Sequence, residues 1–317
     1  MTRTSLTLSP LSALLGALAS ASIAGAPETW PETWPVSYYS ADINGVSVAY
    51  REAGPADAPA MLLLHGFPSS SHMFRDLIPR IAGSYRVIAP DYPGFGQSDA
   101  PAAEDYSYDF STLAETMTAF VENLGLADYT LYMQDYGGPV GMRLALAHPE
   151  RVSGLIFQNA TVHVEGWASD VVEQFAPYWA ERSPETEAPL RGFLSPETTR
   201  WQYEQGSTRR DRLSADAWIS DQAGLDRPGN DAIQLDYLWN YRDNVASYPV
   251  WQAYLAREQP DTLIVWGAND PFFTTQAVTG LQELLPEART LMFDAGHFAL
   301  ETHAPEIGAA ILDAFSH

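Results

Sequence analysis

Six short apolar runs, at 60–64, 86–89, 129–133, 152–157, 262–266 and 289–293, are separated by segments of helical spacing, and this alternation constrains the fold more than any other feature. The helical patterns fall at 73–81, 112–124, 138–147, 276–285 and 305–315. A strand that is apolar throughout is buried on both faces. Repeated strand–helix–strand units place such strands parallel in one sheet, with helices on either side. Two further runs of alternating polarity, 38–43 and 46–52, flank Asn44-Gly45. That dipeptide suits a two-residue hairpin turn, in which both central positions need positive φ. The expected fold class is α/β, a doubly wound and mostly parallel sheet.

The alternation breaks at 161–257, where Trp, Tyr, Pro and acidic residues occur in short helical patches without a strand signal. This reads as a helical cap inserted after the sixth strand. The core is then 38–160 and 258–317. Ahead of it, 27–37 carries PETWPETWP, whose prolines forbid regular helix, and reads as a linker. Residues 1–26 read as a signal peptide: Arg3, a small-residue apolar run from Leu11 to Ile23, then Ala24-Gly25-Ala26. Pro27 disfavours cleavage after Ala26, so cleavage after Ala24 or Ala21 fits better. Export to a periplasm or the outside is expected; if the segment is only a disordered leader, the alternative is cytoplasmic. No later stretch approaches the ~20 apolar residues of a membrane-spanning helix.

Charge and composition remove several functions. With 17 basic residues, all Arg, against 40 acidic ones, the net charge of −23 repels nucleic acid and anionic membranes and favours neutral substrates. The chain has no Cys, which excludes disulfides, thiol nucleophiles and thiolate metal sites. The cap's aromatic residues, among them Trp167 and Trp179, imply a small apolar substrate pocket.

In open parallel sheets, ligands bind outside the carboxyl ends of the strands. Met133-Gln134-Asp135-Tyr136-Gly137-Gly138 follows one strand and opens a helix. Such a turn can present a strained nucleophile, here Asp135, although an Asp there is also a common helix N-cap. His65-Gly66-Phe67-Pro68 follows the first core strand. The backbone N–H groups of Phe67 and Tyr136 can form an oxyanion-type hole; the plainer reading is a tight turn. Gly267-Ala268-Asn269-Asp270-Pro271 and Gly296-His297-Phe298 follow the last two strands. Asp270 is placed to orient His297 as a general base, although N-D-P is also an ordinary turn and a loop His is usually a surface residue. Asn159-Ala160-Thr161 is a glycosylation sequon.

The order Asp135, Asp270, His297 resembles the α/β-hydrolase superfamily, and within it the branch with an Asp nucleophile, the epoxide hydrolases and haloalkane dehalogenases. The resemblance runs from about Tyr38 to the C-terminus and includes Ala89-Pro90-Asp91-Tyr92-Pro93-Gly94-Phe95-Gly96-Gln97-Ser98. It implies a hydrolase without metal or cofactor, in which Asp135 forms an alkyl ester that His297-activated water hydrolyses. It also implies that two cap tyrosines protonate a leaving epoxide oxygen. Asn240-Tyr241-Arg242 resembles the segment bearing one, and Tyr178 is the candidate for the other, with Tyr203 and Tyr237 as substitutes. His65 and Trp179 are expected at the substrate pocket. Tyr136 stands where dehalogenases carry a halide-gripping Trp, which favours an epoxide over a haloalkane. Gln134 and Met133 depart from the epoxide hydrolase pattern of His and a small residue, and they keep the dehalogenase as the alternative. A ligand receptor on the same scaffold is the alternative of another class; the intact triad opposes it.

Overall fold

The computed structural model describes residues 34–315. Eight strands form one sheet: β1 (Ser37–Ile43), β2 (Val46–Ala53), β3 (Ala60–Leu64), β4 (Arg86–Pro90), β5 (Tyr129–Gln134), β6 (Val152–Gln158), β7 (Thr262–Gly267) and β8 (Arg289–Phe293). Their order is β1-β2-β4-β3-β5-β6-β7-β8. The pairs β1–β2 and β2–β4 are antiparallel and all others are parallel. The hairpin turns at Asn44 (φ 55°) and Gly45 (φ 88°), which brings Ile43 opposite Val46.

Both faces of the sheet are covered. Along β3, Leu62 and Leu64 enter one apolar cluster while Met61 and Leu63 enter the other, the period of two expected of a strand buried on both sides. Helices α1 (Ile78–Ile81), α2 (Phe110–Asn123) and α3 (Gly137–Ala147) lie in the first part of the chain. Between β6 and β7 come α4 (Ser169–Ala180), α5 (Pro184–Glu187), α6 (Pro196–Glu204), α7 (Ala215–Leu225) and α8 (Asn230–Glu258). Helices α9 (Thr275–Leu284) and α10 (Ala299–Ala314) complete the order.

Four sequence-based expectations need adjustment. The helix expected at 73–81 is a 3₁₀ turn at Ser71–Phe74 followed by the single turn of α1, with Pro79 at the start of that turn. Helix α10 starts at Ala299 rather than Pro305 and kinks at His303 (φ −129°), because Pro305 inside the helix lacks an N–H and its ring crowds the carbonyl four residues back. The patches expected at 161–257 include a 29-residue helix, α8. It packs against α2, α3, α4, α7 and α9, and in its second half Tyr241, Asn244, Tyr248, Trp251 and Leu255 recur at helical spacing on one buried face. Lastly, Trp34 and Val36 pack against one core cluster, so the end of the expected linker is seated on the domain. The expected signal peptide lies outside the described residues.

Candidate active site

Asp135 follows β5 in left-handed backbone (φ 48°), a strained conformation for any residue but glycine. The turn is tight because its neighbours are glycines. A Cβ on Gly137 would lie 2.1 Å from the Leu64 carbonyl oxygen, and one on Gly66 would lie 2.3 Å from the Asp135 Cβ. The strand end thereby lifts the carboxylate to where the βα loop after β3 can reach it. The Phe67 N–H donates to Asp135 Oδ1 at 2.7 Å, and the Tyr136 N–H also donates to this carboxylate. With Oδ1 anchored, Oδ2 faces His297 Nε2 at 3.9 Å.

His297 is fixed from behind. Its Nδ1 lies 2.9 Å from Asp270 Oδ2, and both side chains are buried. Asp270 is held in turn by the Asn159 amide, which donates to Oδ2 at 2.7 Å, and by the Phe272 N–H, which donates to Oδ1 at 2.8 Å. Asn159 Oδ1 accepts from the Gly267 N–H at 3.0 Å. Asn159 was overlooked as a site residue: it sits at the end of β6 in the same layer as the others, and its amide is fully buried. That burial leaves no room for a glycan on the sequon. On the other ring nitrogen, Gln134 Nε2 lies 2.9 Å from His297 Nε2. A carboxylate partner at Nδ1 calls for a proton there, so Nε2 of the neutral ring accepts from the amide.

The environment tunes both groups. Burial pushes the Asp135 carboxyl up to about 6, against the opposing pull of His297 and the two backbone N–H donors. Burial pulls His297 down, but the charge and hydrogen bond of Asp270, with the charge of Asp135, outweigh it and raise the imidazole above its ordinary value.

A pocket of about 430 Å³ opens on these groups, and Asp135, Tyr136, Phe67, His297 and Tyr241 all line it. The remaining wall is mainly apolar, including Trp167, Phe175, Phe193, Phe272 and Phe273, and much of it comes from the helices between β6 and β7. The Tyr241 hydroxyl is buried without a hydrogen-bond partner of good geometry. Burial, then the neighbouring Tyr248 and Asp135, pushes its pKa well above the ordinary phenol value, so it stays a proton donor at neutral pH.

Three expected pocket residues lie elsewhere. Tyr178 is fully buried beside α8 with its hydroxyl donating to the Leu235 carbonyl at 3.0 Å, and it does not line the pocket. Trp179 stands one layer back, stacked on Tyr241 with its indole N–H donating to the Leu238 carbonyl at 2.9 Å. His65 is buried beneath the loop and stacked on Tyr92, and its Nε2 accepts the Tyr92 N–H at 3.1 Å. Burial lowers its pKa to about 4, so it is a neutral structural residue. Of the substitute tyrosines, Tyr203 donates to Asp221 at 2.5 Å and Tyr237 to the Pro93 carbonyl at 3.2 Å. Among the described residues, no group of three or more His, Cys, Asp or Glu could hold a metal ion.

Residues 59–304 match the family model for the alpha/beta hydrolase fold. An uncharacterized hydrolase of Saccharomyces cerevisiae is 37% identical over 276 residues, covering 86% of this chain and 94% of the relative. A haloalkane dehalogenase of Mycolicibacterium paratuberculosis is 31% identical over 288 residues, covering 86% of this chain and 88% of the relative. The epoxide hydrolase CorEH superposes with a TM-score of 0.73 over 89% of this chain and 99% of its own, at 20% identity, a likeness of fold alone.

Proposed function

The chain belongs to the α/β-hydrolase-fold family and is a hydrolase, and on that premise we propose that it opens neutral epoxides through an ester on Asp135. The observation that carries this reading is the Tyr241 hydroxyl, buried beside Tyr248 in the pocket that also holds the Asp135 carboxylate. A leaving alkoxide needs a proton, and Tyr241 supplies one. A leaving halide needs N–H donors, and the two indole N–H groups nearby are engaged, Trp167 with the Tyr248 hydroxyl at 3.0 Å and Trp179 with Leu238, which leaves the Gln202 amide as the free side-chain N–H among the described pocket residues.

In this mechanism Asp135 Oδ2 attacks an epoxide carbon, the ring C–O bond breaks, and the oxygen takes the Tyr241 proton. Water then replaces the Gln134 amide at His297 Nε2, gives that atom its proton and adds to the ester carbonyl. The charge that develops on Oδ1 is held by the Phe67 and Tyr136 N–H groups. Collapse of this adduct expels the diol oxygen, which takes the proton back from His297. Asp135 leaves this step as the carboxylic acid, and its proton, passed through water to the Tyr241 phenolate, restores both the carboxylate and the phenol.

Dehalogenation with the same triad is the second reading, favoured by the identity to the Mycolicibacterium enzyme. Assay of paired epoxides and bromoalkanes, measuring diol and bromide, separates the two. Tyr241→Phe should lower diol formation by about 10²-fold. A Phe enzyme with undiminished diol formation would remove Tyr241 from the mechanism, and bromide without diol would establish the dehalogenase instead.

The pH profile should be one-sided. Asp135 attacks only when ionised, so ester formation should fall about tenfold per unit below pH ~6. His297 accepts a proton only when neutral, so ester hydrolysis should fall on the acid side of a value above 6.5. Tyr241 keeps its proton through neutral pH. Single-turnover and steady-state rates against pH check this, and an alkaline limb below pH ~9 would contradict it.

A further inference from the structure

Among the pocket's polar groups that the mechanism does not use is a side-chain amide. Gln202 on α6 is 2% exposed and lines the pocket, and its Nε2 is enclosed without a hydrogen-bond partner. A buried amide donor left unpaired is destabilising, so such a group calls for an explanation. Among the described residues, no protein acceptor stands in hydrogen-bonding position to it. Its position is nonetheless well defined. On either side of it, Trp201 packs edge-on against Phe272 and Tyr203 stacks on Phe298, the residue after His297.

Gln202 and Tyr241 line the same pocket from different helices, α6 and α8. We propose that Gln202 is a specificity residue whose amide N–H binds an oxygen acceptor (ether, hydroxyl or carbonyl) on the chain of the substrate, so that the preferred substrates are oxygen-bearing epoxides rather than plain epoxyalkanes. This rests on the epoxide reading above and adds the substrate class. A site built to hydrogen-bond a substrate group discriminates against the analogue lacking it, because its own donor is then left unpaired.

The test compares the terminal epoxide of hexane with isosteres in which an ether oxygen replaces one methylene, stepped along the chain. The wild-type enzyme should show a KM about tenfold lower for at least one ether than for the alkane epoxide. Gln202→Met, close in shape and without the amide, should erase that difference in KM between ether and alkane epoxides. Gln202 makes no side-chain hydrogen bond within the protein to lose, and a melting curve verifies the fold. No ether preference at any position, or a kcat loss shared equally by all substrates, would overturn the assignment; the shared loss would indicate a role in placing water. If the wild-type enzyme forms no diol from any epoxide, the epoxide reading fails, and bromohexane with its ether isosteres then decides Gln202 by bromide release. In that series, loss of release from every substrate in Gln202→Met would make the amide a halide donor and overturn the proposal as well.

Discussion

Replacing Asp135 with Ala should lower diol formation by about 10⁴-fold or more, the loss typical of removing a nucleophile that acts as a unit with its base. No other group is placed to substitute. The described residues lining the pocket include no second carboxylate, and the chain has no Cys. The hydroxyls of Tyr136 and Tyr241 are pushed well above the ordinary phenol value, chiefly by burial, and so are poor nucleophiles at neutral pH. Product analysis of the Ala enzyme, with a melting curve to verify its fold, checks this. Unchanged turnover would mean that the chemistry occurs elsewhere.

Replacing His297 with Gln should have the opposite effect on the intermediate. The first step needs only Asp135, its two backbone donors and Tyr241, whereas the second needs a base at the position of Nε2. The variant should therefore react once and stop, with hydrolysis of the ester slowed by about 10³-fold or more. Intact-protein mass spectrometry reads the result directly. An epoxide adds its whole mass, since nothing leaves; a bromoalkane adds only the alkyl group, since bromide departs. Both outcomes place the ester, and the size of the increment identifies the leaving group independently of any rate. An enzyme that keeps turning over, with no added mass, would exclude the ester.

The frame of the site was legible because each residue follows directly on an apolar strand. Asp135, Asp270 and His297 stand after β5, β7 and β8, and position alone brings them to one edge of the sheet. Asn159 has the same signal after β6 but reads locally as a sequon, and only the packing shows its amide gripping Asp270. Gln134 reads as a departure from a family pattern, yet it reaches the base itself. The helices between β6 and β7 were the least legible. Helical spacing tells which residues share a face, not which face meets the pocket, so Tyr178 stands in sequence as a candidate beside Tyr241, which the Asn240-Tyr241-Arg242 segment favours. In the fold, α4 turns Tyr178 toward a backbone carbonyl of α8 while α8 turns Tyr241 toward Asp135. Gln202 gave no signal, since a Gln in an acidic helical patch looks like a solvated residue.

Strands β6 and β7 are neighbours in the sheet, so the chain leaves for its helical excursion and returns through adjacent strand ends. Exchanging that segment for another of different length opens a single seam and costs only the slowly growing entropy of loop closure. Asp135, Asp270, His297 and Asn159 lie outside it, whereas Gln202 and Tyr241 lie within it. The nucleophile, its base and the orienting acid thus lie on one piece of chain, and the proton donor and the amide that faces the substrate lie on another. Recombination at this one seam would retune selectivity while leaving the Asp–His–Asp geometry untouched.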